Sequence, residues 1–258
     1  MDAKRIENET RHKYDGGIYN AGTICAAIPK TPRTFSERLL ALKFELVNKY
    51  LTEEPVLDLC CGSGLHLMDI AKSIRYGVGL DFSASFIAAA NAKKKELGLR
   101  HIEFFTGDAH SLPFESGAFG CVYSFSSLYH IPEANQVINE ISRVTAKSGI
   151  AIFELGNLYS LNTIVCRAYP ELAHPCHIPT KDMLKYINAA GLRIVEHRCF
   201  QTLPLWANRP WWLLPLLHPL WTRIMAWQVR GKMLDEWMSS SPVFRFFAFR
   251  HIFVCARD

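Results

Sequence analysis

The eight cysteines, at positions 25, 60, 61, 121, 166, 176, 199 and 255, include no C-x-x-C pair and no spacing typical of a disulfide framework. No secretory pattern precedes them, so a reducing cytosol is the expected compartment. Long uninterrupted apolar runs are also missing. A membrane-spanning helix needs about 20 mainly apolar residues. In the most apolar stretch, 203–227, Pro210, Pro215 and Pro219 break the uncharged part and would leave backbone groups unsatisfied in lipid. An excess of one charge is absent from most of the chain: Lys and Arg number 29 against 24 Asp and Glu, and the whole difference arises from Arg193 onward, with nine basic against four acidic residues. Those basic residues are diluted among apolar ones with no nucleic-acid motif, so no nucleic-acid partner is expected. His174-Pro175-Cys176-His177, with Cys166 nearby, matches no standard zinc spacing, and no metal is expected. What remains is ordinary globular composition over 258 residues, 49% hydrophobic and 21% charged.

The most informative stretch is Val56-Leu57-Asp58-Leu59-Cys60-Cys61-Gly62-Ser63-Gly64. Its apolar tetrad suits a strand buried on both faces, and Gly62 and Gly64 let the backbone turn sharply where a Cβ would collide with a ligand. From Leu65 the pattern is helical, so the free N–H groups of a helix start point back into the turn and favour a polar cofactor there. Val78-Gly79-Leu80-Asp81 and Ile102-Glu103-Phe104-Phe105-Thr106-Gly107-Asp108 repeat the theme of a short strand ending in an acid. In an open parallel sheet, ligands collect outside the carboxyl ends of the strands, which would bring Asp58, Asp81 and Asp108 to one crevice. Asp81 is the candidate for a ribose, because a carboxylate offers two acceptor oxygens to two vicinal hydroxyls. A dinucleotide site would need G-x-G-x-x-G, and Leu65-His66-Leu67 supplies no third glycine.

Over 44–154 these residues resemble the class I S-adenosylmethionine-dependent methyltransferases, in particular small-molecule enzymes with a D-x-G-x-G-x-G loop. The resemblance implies that the loop at Asp58, Cys60, Gly62 and Gly64 holds the methionine moiety, that Asp81 and Phe82 flank the ribose, and that Asp108 and Ala109 approach the adenine. It continues through Phe119-Gly120-Cys121-Val122-Tyr123-Ser124, similar to the family's fourth strand, and adds Ser124 to the cofactor set. Two positions depart from the pattern. Cys60 stands where the first loop glycine is usual, as in some quinone-type members, and Gly120 replaces the usual acid of the fourth strand.

Around this segment, 36–47 repeats apolar positions every three or four residues behind the cap residue Ser36, as an amphipathic helix does. Upstream, Tyr14 and Tyr19 flank turn residues, and related methyltransferases fold such a segment over the cofactor; burial as a surface arm is the alternative. A helix follows Pro132, with Gly149-Ile150-Ala151-Ile152-Phe153-Glu154 as a fifth strand, a helix from Thr180 to the stop at Gly191, and a sixth strand over 192–197. By the resemblance, 251–256 is a seventh strand inserted antiparallel beside the sixth. The expected fold is α/β: a Rossmann-like sheet of seven strands, mostly parallel with an antiparallel last strand, and helices on both faces. Residues 1–50 would form a lid and helix, and 51–258 the methyltransferase domain, with a Trp/Pro-rich insertion at about 203–243.

The cofactor implied is S-adenosyl-L-methionine and the activity a methyl transfer, most simply to oxygen, on a small or lipid-linked acceptor. A quinone-type C-methyltransferase and a non-catalytic scaffold subunit are the alternatives. His130, after the fourth strand, is the candidate base for an acceptor that must lose a proton, with a helix-capping or loop role as its alternative; Tyr129 shares that ambiguity. Glu154 either binds substrate or ends its strand. Trp206, Trp211, Trp212, Trp221 and Trp227 with nearby arginines fit either a pocket cap or a peripheral membrane contact.

Overall fold

The computed structural model describes residues 2–15 and 26–258. Helix α1 (Ala3–Asp15) is followed by α2 (Phe35–Tyr50), β1 (Val56–Leu59), α3 (Leu65–Asp69), β2 (Gly77–Asp81), α4 (Ala84–Glu96), β3 (Ile102–Thr106) and β4 (Phe119–Ser124). Then come α5 (Ala134–Val144), β5 (Thr145–Gly156), α6 (Leu161–Arg167), α7 (Thr180–Ala189) and β6 (Leu192–Phe200). The segment after β6 holds four short helices, α8 (Leu214–Leu217), α9 (Leu220–Met225), α10 (Leu234–Ser240) and α11 (Pro242–Phe247). It also holds a two-stranded hairpin, β7 (Gln228–Val229) with β8 (Lys232–Met233), before β9 (Arg250–Arg257) returns to the main sheet.

That sheet has seven strands in the order β3-β2-β1-β4-β5-β9-β6. β3, β2, β1, β4 and β5 pair in parallel, and β9 slots antiparallel between β5 and β6. Chain order reverses between β1 and β4, which places the crevice for a ligand beyond the ends of those two strands. Every residue of β1 and β4 is buried, as strands covered by helices on both faces must be. Alternation along β1 sends Val56 to the core under α2 and α3, and Leu57 and Leu59 to the core under α5 and α7.

Two details differ from the expectation. Helix α2 begins earlier than Ser36: Thr34 is its cap, with the Glu37 N–H donating to Thr34 Oγ1 at 3.3 Å and Glu37 Oε2 accepting from the Thr34 N–H at 3.0 Å. The reciprocal pair satisfies two free donors, an arrangement Ser36 lacks. Tyr14 lies on α1, a helix not anticipated, rather than on a turn. Tyr19 lies outside the described residues. Among the described residues, no helix is long and apolar enough to cross a membrane.

Candidate functional site

Two adjoining cavities open at the carboxyl ends of β1, β2 and β4. The larger, about 520 Å³, is within the usual size of a small-molecule site, and Asp58, Cys60, Gly62, Asp81 and Phe82 are part of its wall. The smaller, about 50 Å³, is walled by Asp81, Phe82, Asp108 and Ala109 among others. Cys60, Asp81, Phe82 and His130 belong to both, so the three strand-end acids border one continuous hollow.

The loop after β1 is held by its neighbours. Asp81 Oδ2 accepts the Gly62 N–H at 2.8 Å, and Oδ1 accepts the Ser83 N–H at 3.0 Å. These bonds tie the loop to the end of β2 and leave further lone pairs for a ligand. Cys60 has φ 62°, a left-handed conformation rare for a side-chain-bearing residue, so the departure at this position is one of residue type and not of backbone path. Gly64 is required by the core. It borders neither cavity, and an added Cβ would lie 2.4 Å from the Phe104 ring in the core. Gly120 is explained in the same way: a Cβ there would stand 2.4 Å from Glu54 Cβ, leaving no room for the acid usual in the resembled family. Ser124 is fully buried below the site and borders neither cavity.

Asp58 is buried, and its pKa is raised well above the carboxylate range by burial and by the Asp81 charge, with the Tyr123 hydroxyl pulling the other way. Asp108 is half exposed and takes both the backbone N–H of His110, at 2.9 Å, and its Nδ1, at 2.8 Å. His110 also places Nε2 2.9 Å from the Pro132 carbonyl, bracing the rim of the smaller cavity. Tyr14 meets Phe82 edge-on at 5.4 Å and Phe86 at 6.1 Å, so α1 covers the hollow from outside.

His130 ends a short turn, Leu128–His130, and borders both cavities. Burial pushes its pKa down to about 4 against the opposing pull of a backbone hydrogen bond at His174. At neutral pH it is an uncharged imidazole and a weak base.

Sequence reading missed the polar floor of the larger cavity. Glu154, at the end of β5, is completely buried between Lys43 of α2, whose Nζ is 2.5 Å from Oε2, and Arg250 of β9, whose Nη1 contacts Oε1. Lys43 also donates to Ser126 Oγ at 3.1 Å. Arg250 donates to Gln201 Oε1 at 2.6 Å and to the Tyr129 hydroxyl at 3.2 Å. Two cations hold Glu154 down at about 2 despite its burial, whereas burial and the nearby Arg250 bring Lys43 down to about 8. The signal for Lys43 was available: Leu39, Lys43 and Val47 recur at four-residue spacing, so the lysine lies on the buried stripe of its helix.

A second unanticipated cluster joins His197, Cys199 and His251, whose donor atoms lie within 4.8 Å of one another on β6 and β9. Arg245 donates to His197 Nδ1, and His197 Nε2 lies 3.0 Å from His251 Nδ1, which makes a hydrogen-bonded relay along the sheet edge. The cluster adjoins a separate cavity of about 260 Å³. The histidine and cysteine segment weighed from sequence, 174–177, does not form it: His177 Nδ1 instead meets Thr163 Oγ1 at 2.8 Å.

Residues 56–149 match the model of a family described as a methyltransferase domain. A demethylmenaquinone methyltransferase of Lactococcus lactis is 40% identical over 102 residues, covering 38% of this chain and 40% of that protein. The corresponding enzyme of Oceanobacillus iheyensis is 32% identical over 99 residues, 37% of this chain and 42% of that protein. The chain thus spans about two fifths of the length of these curated relatives. Among solved structures, a geranyl diphosphate C-methyltransferase from Streptomyces coelicolor aligns over 100% of both chains with TM-score 0.65 and 15% identity. The [4+2]-cyclase SpnF aligns over 96% of this chain and 94% of its own, with TM-score 0.64 and 19% identity. Likenesses this distant establish the fold alone.

Proposed function

Because residues 56–149 match a methyltransferase-domain family, we propose that the protein transfers the methyl group of S-adenosylmethionine to a small or lipid-linked acceptor. One observation carries this reading: Asp58 in the last two residues of β1, Asp81 at the end of β2 and Asp108 two residues past β3 border one continuous hollow large enough for the cofactor and an acceptor. Asp81 and Phe82 would hold the ribose, Asp108 and Ala109 the adenine, and the turn at Cys60 and Gly62 the methionine end. Tyr14 on α1 would close over them, which gives the first fifty residues the part of a lid. The sulfonium supplies the reactive methyl when bound. The chain's part is to align donor and acceptor and to exclude water.

His130 faces that junction as a neutral imidazole, suited to orienting an acceptor hydroxyl by hydrogen bonding more than to removing its proton. Oxygen is the acceptor atom on this reading. A ring carbon of a quinol is the second reading, favoured by the matched relatives being named demethylmenaquinone methyltransferases. A scaffold that binds cofactor without turnover is the reading from another class, and a shared fold does not by itself decide between them.

Replacing Asp81 with alanine is expected to weaken S-adenosylhomocysteine binding about 100-fold in calorimetry, the scale of losing charge-assisted bonds to both ribose hydroxyls. Unchanged affinity would remove the ribose assignment.

A lipid-linked acceptor would be met through the segment after β6. Trp206 borders the larger cavity and its indole N–H donates to Asn162 at 2.9 Å, whereas Trp211, Trp212 and Trp227 are 80%, 54% and 68% exposed. Such rings suit an interface, and the basic excess of this quarter suits an anionic one. We expect the protein to float with phosphatidylglycerol vesicles, and a Trp211→Ala, Trp227→Ala double variant to stay at the bottom of the gradient. Equal behaviour of the two would discard the contact.

A further inference from the structure

Resting on the methyl-transfer reading, we propose that the acceptor is bound as an oxyanion, a phenolate or enolate, paired with the Lys43 and Arg250 cations on the floor of the larger cavity. Lys43 and Arg250 face one carboxylate, Glu154, and all three are inside the protein. Among the described residues no other carboxylate makes an ion pair with either cation. The floor therefore carries one unbalanced positive charge in a medium where charge is expensive to leave unpaired.

Arg250 uses Nε on Gln201 and Nη1 on Glu154, Ser126 and Tyr129, whereas Nη2 makes no hydrogen bond among the described residues. Arg250 borders the cavity, so this unused edge of the guanidinium is available to a ligand oxygen. Ser126 and Gln201, the two residues that hold the cations from either side, have φ 59° and 64°. Left-handed conformations at residues with side chains cost energy, and two of them gathered at one charged floor mark a built site.

An acceptor that arrives ionised needs no strong protein base, which fits the neutral His130. The step balances. For oxygen, the acceptor O⁻ forms the O–CH₃ bond as the S–CH₃ bond breaks; the sulfonium's positive charge and the oxyanion's negative charge cancel, leaving a thioether. For carbon, the enolate carbon takes the methyl and the ring then loses its C–H proton to solvent.

The test uses the full chain saturated with S-adenosylhomocysteine, and two probes of one shape: lawsone, an acidic hydroxynaphthoquinone that is anionic at neutral pH, and its neutral amino analogue. Calorimetry is expected to show lawsone binding at least about tenfold more tightly. The Lys43→Met variant, which keeps the Glu154–Arg250 pair, and Arg250→Lys, which keeps the charge but loses the free edge, should each erode that preference and leave S-adenosylhomocysteine affinity in place. Circular dichroism confirms that each variant is folded, and the pair guards against failure of one. Equal binding of the probes overturns the inference, as does a loss that falls on S-adenosylhomocysteine, which would assign the cations to the cofactor's carboxylate. A wild-type protein that does not bind S-adenosylhomocysteine would overturn the methyl-transfer reading together with this one, which separates the two failures.

Discussion

Glu154→Ala is expected to destabilise the protein by about 3–5 kcal/mol, the cost of stranding buried charge by removing one partner. Lys43 and Arg250 would be left facing each other with no carboxylate between them, and the Ser126 N–H, which donates to Glu154 at 3.2 Å, would lose its acceptor. For a chain of this size each kcal/mol lowers the melting temperature by roughly 2–4 °C, so a fall of about 6–20 °C is anticipated in a thermal scan. Glu154→Gln should fall between wild type and alanine, because the amide oxygen still accepts one bond but balances no charge. Adding Lys43→Met to Glu154→Gln should recover part of the loss, since it removes the repelling cation, and that non-additivity is the diagnostic. A Glu154→Ala protein that melts with the wild type would mean that water enters the floor freely and that the three charges do not act as a unit.

The importance of this residue illustrates what the sequence could and could not convey. Strand-end acids were legible because a parallel sheet fixes where strand ends go: once the alternation of strands and helices was recognised, Asp58, Asp81 and Asp108 had to share an edge. The antiparallel seventh strand followed from the family resemblance, not from its own residues. Glu154 was visible as a strand-end acid, but its partners were not, because Lys43 and Arg250 are separated from it by 111 and 96 positions and meet only through tertiary packing. The need for glycine at 64 and 120 was only partly legible for a related reason. A glycine is required wherever something approaches closely, and pattern alone does not say whether that is a ligand or, as here, Phe104 and Glu54. Segment 203–243 resisted reading because its short helices have no periodic stripe. It is anchored instead by Asp235, which accepts the N–H groups of Gln201 and Thr202 at 2.6 and 2.9 Å, a link between distant positions.

Stability is expected to fall modestly when the pH drops from about 7 to about 5, ahead of ordinary carboxylate-driven acid unfolding. Burial pushes His66, His130 and His251 down to about 4, and His177 and His197 to about 3. The sign follows from where the protons go. An unfolded histidine titrates near 6.5, so between about pH 6.5 and 4 the unfolded chain binds protons that the folded chain refuses, and stability rises with pH across that window. The contribution is complete above the unfolded value and is lost as the pH falls through the window. Four groups oppose it, because each holds its proton more tightly in the folded chain and gains stability as the pH falls: Asp58, Asp235, raised to about 6, and Glu236, all pushed up by burial, and His110, raised by its backbone bond at Pro132 and by Asp108. Five lowered histidines against four opposing groups leave about one uncompensated, so the net loss one pH unit below 6.5 is on the order of 1–2 kcal/mol, a measurable part of a typical domain's 5–15. Denaturant midpoints measured at pH steps from neutrality downward, at constant ionic strength, would show it as a falling midpoint with an unchanged slope. Glu154 adds little above about pH 5: its contribution is fully present above its ordinary value of 4.5 and is lost as the pH falls from there through its depressed value of about 2. A midpoint that stays flat to about pH 5 would show that the histidine sites admit water and titrate as they do in the unfolded chain.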